Sequence, residues 1–321
     1  MNLALLSRPR TQALLDGKLK LDGFLVRWLP ASDPLGFGLP AHEKRRDILS
    51  GQVDGGEMSI SAFIQAKAQG APLVAVPIFL KRGLVQRSLL CADDSPLVSP
   101  EQLVNKRVGL VSYNSSMAVW MRGILEDEYK LSPASVRWFA LSSPTPRSQV
   151  LKIPEEFSTA GIQAWEELDG YAHDLDRRES FLLSLLERDE LDAVISFQAR
   201  LASSKVRPLL PVEESHWSHY RKKGVYPINH LFVIRQDILD KYPALAADLL
   251  SLFREARGLW IDYLPQEERA AIESEMQQLG WDPFACRFGD VEKTSLELFV
   301  EYLYREQMIS RQLAVDEFFT L

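Results

Sequence analysis

Short apolar segments alternate with amphipathic helical segments along this 321-residue chain, and this alternation limits the fold more than any other feature. The first cycle reads "NLALLS" as a strand, "TQALLDG" as a helix that ends at Gly17, and "FLVRWLP" as a second strand. "PLVAVPIFL" predicts another strand, the pattern resumes over residues 100–210, and helices are predicted at 244–263, 266–278 and 290–306. Such repeats are typical of mostly parallel sheets covered by helices, so we predict an α/β fold.

The order of these segments predicts two lobes. The chain leaves one strand–helix unit near residues 90–100 and returns near residues 205–225. We therefore assign residues 1–98 and 206–321 to a first, discontinuous lobe and residues 99–205 to a second lobe. The chain is long enough for each lobe to bury its own core. Because ligands favour interfaces between domains, we expect a ligand cleft between the lobes.

Composition argues against two classes of partner. A net charge of −7 disfavours binding to a polyanion, and we expect no nucleic-acid partner. No apolar run approaches the roughly 18–20 residues that cross a bilayer, so we expect no membrane insertion. Cys91 and Cys286 are far apart in the sequence, and "MNLALLSRPR" has no basic leader or cleavage site. These features lead us to expect a cytoplasmic protein.

A polar cluster stands between a strand and a helix in "KRVGLVSYNSSMAVWMRGILEDEY". Capping the helix needs one of the residues Ser112–Ser116, and the remainder are available to an anionic ligand at the strand end. We predict that this cluster faces residues 57–61 across the cleft and forms the second lobe's half of a ligand clamp. The substrate-binding residues that we predict at the strand ends of this lobe are Tyr113, Asn114, Ser115, Ser116 and Ser196.

Five ordered sequence blocks carry a family resemblance. They are "EMSISAFIQAKAQG", "LVAVPIFLKR", "KRVGLVSYNSSMAVWMRGILEDEYKL", "ELDAVIS" and "HYRKKGVYPINHLFVIRQDI". Together they resemble the 4,5-dihydroxyphthalate decarboxylase family, a cytoplasmic family built on the type II periplasmic-binding-protein fold. The resemblance implies that fold, with its two lobes and intervening cleft, and release of CO2 from 4,5-dihydroxyphthalate to give protocatechuate during phthalate degradation.

The chain departs from the family pattern at two places. An Arg-x-Phe-Arg-His-Ser block of the family reads here as Arg82 to Ser88, "RGLVQRS", and lacks the histidine. The opening loop, Asp-Tyr-Asp-Arg-Thr in the family, reads "SRPRT" at residues 7–11. The first departure bears on the substrate and on whether the protein is catalytic.

Arginines are the first group of candidate ligand-binding residues. Arg8 and Arg10 follow the first strand, where an open α/β sheet places its ligand crevice, and Thr11 is adjacent. Arg82 and Arg87 follow the strand "PLVAVPIFL". A guanidinium pairs bidentately with a carboxylate, and a dicarboxylic ligand would use more than one. The alternative for each is an ordinary surface arginine.

Glu57 and His230 are the candidate catalytic residues. Glu57 and Ser59 lie where a strand becomes a helix, and Ser59 is a candidate ligand contact. Glu57 is suited to acid–base catalysis or to a hydrogen bond at a helix N-terminus. His230 in "YPINHLFVI" is either a proton donor or a structural histidine bonded within the core. Tyr113 or Asn114 would polarise a phenolic hydroxyl of the substrate.

The sequence gives little reason to expect a cofactor or a metal. Glu213, His216 and His219 have a spacing compatible with a metal site, but no third compelling ligand accompanies the two histidines. Protonation of a ring carbon para to a hydroxyl, followed by loss of CO2, requires no cofactor in principle. The oligomeric state is left open, with a homo-oligomer as one alternative.

Three functions fit these patterns. The preferred interpretation is a decarboxylase that binds a compact aromatic carboxylate. The chief rival is a non-catalytic solute-binding protein of an importer for an aromatic acid, a sulfonate or a similar anion, which the missing histidine favours. The third is a different enzyme on the same scaffold, resembling proteins of the menaquinone pathway or of thiamine-pyrimidine synthesis.

Overall fold

The computed structural model describes residues 1–31, 48, 51–140, 162–164, 175–196, 205–210 and 214–319. The strands in these ranges are β1 (Asn2–Leu6), β2 (Arg27–Ala31), β3 (Gly55–Ser59), β4 (Leu73–Arg82), β5 (Leu89–Ala92), β6 (Arg107–Leu110), β7 (Arg137–Ala140), β8 (Ile162–Ala164), β9 (Ala193–Ile195), β10 (Val206–Pro208) and β11 (Ile228–Arg235). The α-helices are α1 (Pro9–Leu15), α2 (Ile60–Ala68), α3 (Ser116–Tyr129), α4 (Leu175–Glu187), α5 (Glu214–Lys223), α6 (Gln236–Lys241), α7 (Leu245–Leu259), α8 (Gln266–Leu279) and α9 (Asp290–Arg305). Strands and helices alternate as predicted, and the α/β fold class is confirmed.

The first sheet has the strand order β2-β1-β3-β11-β4. β1 is parallel to β2 and β3, whereas β11 runs antiparallel between β3 and β4. The sheet is therefore mixed, with β1, β2, β3 and β4 running in one direction, mostly parallel as predicted, and β11 running against them. The path of the chain explains this exception. β11 follows all the strands of the second sheet in the sequence, and the chain re-enters the first sheet in the opposite direction, between β3 and β4.

The second sheet has the order β10-β5-β9-β6-β7-β8. β9, β6, β7 and β8 are parallel, and β5 and β10 pair antiparallel at one edge. These edge strands are the two passages of the chain between the sheets. The predicted lobe boundaries place both passages in the first lobe, whereas β5 and β10 pair within the second sheet. The division into lobes at residues 98 and 206 stays a prediction.

Helix α3 joins the two sheets. It follows β6 of the second sheet, yet its Trp120 indole donates a hydrogen bond to the Ile228 carbonyl in β11 of the first sheet, at 2.8 Å. The Trp120 ring also packs against Phe299 of α9, with ring centroids 5.0 Å apart. A single cluster of buried apolar side chains thus includes residues of both sheets. None of the helices in the described part of the chain is long and apolar enough to cross a membrane.

Candidate functional site

The candidate site lies at one edge of the first sheet. β11 is antiparallel to both β3 and β4, and β1 is parallel to β3, so the ends of β1, β3 and β4 meet the start of β11 at that edge. Gly56 lets β1 approach β3 closely, because its φ is +152° and an added Cβ would lie 2.2 Å from the Ala4 carbonyl oxygen. This edge is where α/β sheets place their ligands.

Glu57, His230 and Arg8 form a buried cluster there. His230 Nδ1 lies 2.6 Å from Glu57 Oε1, and Arg8 Nη2 lies 2.8 Å from the same oxygen. The other carboxylate oxygen accepts a hydrogen bond from the Leu6 backbone N–H at 3.4 Å. The side chains of Glu57 and His230 are each only 1% exposed. The two candidate catalytic residues, which are distant in the sequence, are therefore in direct contact.

The protonation states of this pair follow from its surroundings. Burial alone disfavours the Glu57 carboxylate, but the charge of Arg8 and the hydrogen bond from His230 outweigh it and lower the pKa of Glu57 to about 2. Burial lowers the pKa of His230 to about 4, and Arg8 and Lys81 act in the same direction. At neutral pH the imidazole is therefore neutral and donates its Nδ1–H to Glu57. Nε2 is then the ring nitrogen that carries the lone pair.

Arg10 adds a second guanidinium next to Arg8. Its Nη1 donates to the Leu80 carbonyl at 2.9 Å, and Arg8 Nη1 donates to the same oxygen at 3.4 Å. The Arg10 guanidinium also stacks on the Phe284 ring, 3.5 Å from its centroid. Burial, with the nearby charge of Arg8, lowers the pKa of Arg10 to about 9, so it still carries its charge at neutral pH. The edge thus holds two neighbouring cations.

Sequence reasoning missed Lys81 at this site. Lys81 pairs with His230 in the register of β4 and β11, and is half-buried. Burial, reinforced by Arg8, lowers its pKa to about 7. The signal in the sequence was a lysine at the end of the otherwise apolar strand "LVAVPIFLKR", but the neighbouring Arg82 was predicted instead because it matches the family block.

The second sheet contributes serines from the start of α3. The Ser116 hydroxyl lies 2.8 Å from the Ser59 hydroxyl and accepts from the Ser61 backbone N–H at 3.2 Å. Ser115 caps the helix, and its hydroxyl accepts from the Ala118 N–H at 3.3 Å. Ser116 of the predicted polar cluster therefore contacts Ser59 and Ser61 in this structure. Whether its residues bind a ligand stays a prediction.

Ser196 lies beyond the end of β9 and is fully buried. Its hydroxyl donates to the carboxylate of Glu179 in α4, which is also fully buried. The charge of Glu179 raises the pKa of Lys81 in the first sheet, so this carboxylate is electrostatically coupled to the cluster around His230. Glu179 is a second residue that sequence reasoning missed.

Two predicted arginines lie elsewhere. Arg82 is buried and donates to Glu292 Oε1 at 2.7 Å and to the Pro283 carbonyl at 3.2 Å. Its guanidinium thus serves the packing of α9 rather than the Glu57–His230 cluster. Arg87 is exposed, in the 3-10 helix Gln86–Ser88. The structure does not bring either arginine to the cluster around Glu57, and we leave both out of the proposed site.

Thr11 and Tyr113 are also engaged by the protein itself. The Thr11 hydroxyl donates to the Leu6 carbonyl and accepts from the Arg8 N–H at 3.2 Å, so it fixes the loop that carries Arg8. The Tyr113 ring is buried beneath the Arg122 guanidinium, 3.6 Å from the ring centroid. Burial raises the pKa of its phenol. Asn114 follows Tyr113 in the chain and is half-buried.

The residues that the structure describes do not support the alternative of a metal site at Glu213, His216 and His219. Glu213 and the His216 side chain lie outside the described residues. His219 is described, and its Nδ1 lies 2.8 Å from Glu128 Oε1. The described part of the chain contains no group of three or more histidine, cysteine or acidic side chains arranged to hold a metal ion.

The contact between Ser116 and residues 59–61 yields a stability prediction. Replacing Ser116 with alanine should lower the free energy of unfolding by about 1–3 kcal/mol, because the buried Ser61 N–H loses its acceptor. Urea denaturation would measure the change. A matched control is Ser184→Ala, since the Ser184 hydroxyl bonds the Phe181 carbonyl within its own helix. We expect that control within about 0.5 kcal/mol of the wild type, and an equally small effect for Ser116→Ala would contradict the role assigned to this contact.

Comparison with known sequences agrees with the resemblance predicted above at the level of the family. The chain is 23% identical to a 4,5-dihydroxyphthalate decarboxylase of Comamonas testosteroni over 339 aligned positions, which cover 99% of this chain and 96% of that protein. It is 28% identical to a protein of the same name from Pseudomonas putida over 205 positions, covering 62% and 70% of the two chains. No family model matches the sequence.

Comparison with solved structures identifies the fold. The periplasmic aliphatic sulphonate binding protein of Escherichia coli superposes with a TM-score of 0.62 at 13% identity, covering 99% of this chain and 96% of that one. A periplasmic sulfonate-binding protein of Methylobacillus flagellatus gives 0.60 at 12% identity, covering 100% and 91%. A desulfurization enzyme gives 0.55 at 14% identity, covering 100% and 96%. The two-lobed fold of periplasmic binding proteins is thus confirmed, and both binding proteins and an enzyme share it.

Proposed function

We propose that this protein is a decarboxylase of a hydroxylated aromatic carboxylate, with 4,5-dihydroxyphthalate as the substrate to test first. The observation that carries the proposal is the buried, neutral His230 held by the Glu57 carboxylate, with the cations Arg8 and Arg10 beside it. A carboxylate that orients a neutral imidazole makes a general base. Anion binding alone would need only the cations.

Substrate binding would rest on charge. 4,5-Dihydroxyphthalate is a dianion at neutral pH, and the proposed site presents two neighbouring guanidinium groups. Arg8 also pairs with Glu57, so we assign the main carboxylate contact to Arg10. The aromatic rings of Phe284 and Trp260 hold the Arg10 guanidinium, with centroids 3.5 and 4.8 Å away. A cation fixed in this way binds a carboxylate with little loss of side-chain entropy.

His230 would start the chemistry. Its Nε2 takes the proton of the hydroxyl para to the departing carboxylate, and the phenolate pushes electron density onto the ring carbon that bears this carboxylate. That carbon takes up a proton, the bond to the carboxylate breaks with its electron pair returning to the ring, and CO2 leaves. The product is protocatechuate. The substrate's own hydroxyl supplies the electrons, so the proposal includes no cofactor.

The solute-binding alternative is retained because of the fold. Two of the structural neighbours are sulfonate-binding proteins, and an arginine pair would also suit such an anion. The alternative requires export of the protein, whereas the decarboxylase proposal places it in the cytoplasm. Fractionation of cells that express the native gene would separate these locations.

Incubation of the purified protein with 4,5-dihydroxyphthalate is the direct test. We expect stoichiometric formation of CO2 and protocatechuate, measured by gas release and by chromatography. Phthalate is the matched control compound, because it keeps both carboxylates but has no hydroxyl to supply electrons. Phthalate should bind and remain intact. Binding of 4,5-dihydroxyphthalate without CO2 release would contradict the decarboxylase and favour the solute-binding alternative.

A further inference from the structure

We propose that Lys81 is the proton donor that protonates the ring carbon bearing the departing carboxylate. The inference rests on the proposed function and adds the one reactant that the pair of Glu57 and His230 does not supply. It assigns to Lys81 direct contact with the substrate, and therefore a catalytic role.

Ser59, His230 and Lys81 lie side by side across the first sheet. His230 of β11 pairs with Ser59 of β3 on one side and with Lys81 of β4 on the other. His230 and Ser59 are opposed in a regular part of the register, so they project from the same face, with Cβ atoms about 4.5–5.5 Å apart. Glu57 precedes Ser59 by two residues and projects from that face as well. Lys81 lies opposite His230 at the same edge, close enough that its charge lowers the pKa of His230 and that the charge of Glu57 raises the pKa of Lys81.

An irregularity in β4 places Lys81 in this row. The register between β4 and β11 shifts on both sides of the pair Lys81–His230, toward the pair Val76–Phe232 and toward the pair Arg82–Ile228. Bulges of this kind redirect side chains and occur next to active sites. The carbonyl of Leu80, immediately before Lys81, accepts from both Arg8 and Arg10. The strand end that carries the amine is therefore fixed by Arg10, which is assigned to the substrate carboxylate, and by its neighbour Arg8.

The charges around Lys81 suit a proton donor. Burial, and then the charges of Arg8 and Arg10, oppose protonation of Lys81, whereas Glu57 in the first sheet and Glu179 in α4 favour it, and the resulting pKa is about 7. A donor works best when its pKa is near the working pH. The His230 imidazole, with a pKa of about 4, is neutral at that pH, which is the protonation state that a base requires. Two neighbouring groups with separated pKa values divide acid and base between them.

The Lys81 ammonium gives one proton to the ring carbon, forming a C–H bond and leaving a neutral amine. The C–C bond to the carboxylate then breaks, its electron pair restores the aromatic ring, and CO2 departs. His230 returns the hydroxyl proton that it took from the substrate. Lys81 regains a proton from water, so the cycle consumes one proton per CO2 and requires no oxidant or reductant.

Steady-state kinetics of Lys81→Arg and Lys81→Met with 4,5-dihydroxyphthalate test the inference. Arginine keeps the positive charge but is a poor donor because its pKa exceeds about 12. We expect kcat of Lys81→Arg to fall about 100-fold or more with KM within a few-fold of wild type, and Lys81→Met to lose kcat to at least the same extent. The wild-type kcat should fall as pH rises through 7, and this descending limb should be absent in both variants.

Lys67→Met is the matched control. Lys67 is another half-buried lysine, and its Nζ donates to the Leu73 carbonyl at 2.8 Å, away from the His230 row. We expect its kcat and pH profile to match the wild type, and thermal melts would verify that all three variants fold. An active wild type whose Lys81→Arg variant keeps kcat, or whose Lys81→Met variant raises KM alone, overturns the inference but not the proposed function. A wild type that releases no CO2 overturns both.

Discussion

Replacing His230 with asparagine should lower kcat for CO2 release from 4,5-dihydroxyphthalate by about 100- to 10,000-fold, the range that a positioned acid or base contributes. The asparagine amide can occupy the place of Nδ1 and still donate to Glu57, so the buried carboxylate keeps a hydrogen-bond donor. Only the Nε2 edge of the ring, which is assigned to the substrate hydroxyl, is lost. Stopped-flow or steady-state assays of protocatechuate formation would measure the change.

His219 supplies a matched control for this variant. It is also a buried histidine whose Nδ1 contacts a glutamate, Glu128, at 2.8 Å, and it lies on α5 outside the proposed site. His219→Asn should keep kcat near the wild-type value. If both variants lose activity in proportion to a loss of thermal stability, or if His230→Asn retains its rate, His230 is a structural histidine and the assigned base is wrong.

Replacing Arg122 with methionine should lower the free energy of unfolding by about 3–5 kcal/mol. Arg122 is fully buried in α3, and its guanidinium binds Glu306 through Nε at 2.9 Å and through Nη2 at 2.7 Å. Its Nη1 donates to the Tyr113 carbonyl at 2.9 Å. Without the arginine, a buried carboxylate and a buried carbonyl lose their donors, and this loss accounts for the size of the effect. Urea denaturation monitored by tryptophan fluorescence would measure it.

A second variant distinguishes an unpaired charge from a loss of packing. Arg122→Met combined with Glu306→Met removes both charges, and we expect it to recover a substantial part of the lost stability. Arg188→Met is the surface control, because Arg188 pairs with Glu190 at 3.1 Å while both side chains are largely exposed. Such pairs contribute about 0–1 kcal/mol. A loss below about 1 kcal/mol for Arg122→Met would show that this ion pair does not hold α3 in place.

The position of α3 matters for the site as well as for stability. The helix places Ser116 in contact with Ser59 and Ser61. The Arg122–Glu306 ion pair connects the middle of the helix to the end of α9. Gly123 allows this approach, because an added Cβ would lie 2.3 Å from the Tyr302 ring of α9. The second sheet's contribution to the site therefore depends on contacts made one to two helical turns away.

The local sequence pattern was sufficient to predict the positions of the strands and helices. The strands β1, β4 and β11 and the long C-terminal helices lie where apolar periodicity predicts them, because periodicity depends on neighbouring residues alone. The sequence also predicted Glu57 and His230 as catalytic residues, because both are polar residues within apolar strands of the blocks that carry the family resemblance. Their contact could not be inferred, because they are 173 residues apart.

Tertiary structure alone decided which polar residues meet. Lys81 and Arg82 are consecutive, yet the strand register pairs Lys81 with His230 while the Arg82 guanidinium binds Glu292. The sequence pattern favoured Arg82 because it matched the family block. The choice depends on the register of β4 against β11, which a bulge shifts and which no local pattern encodes. The α/β class is a property of neighbouring residues, whereas the membership of the site depends on how distant strands align.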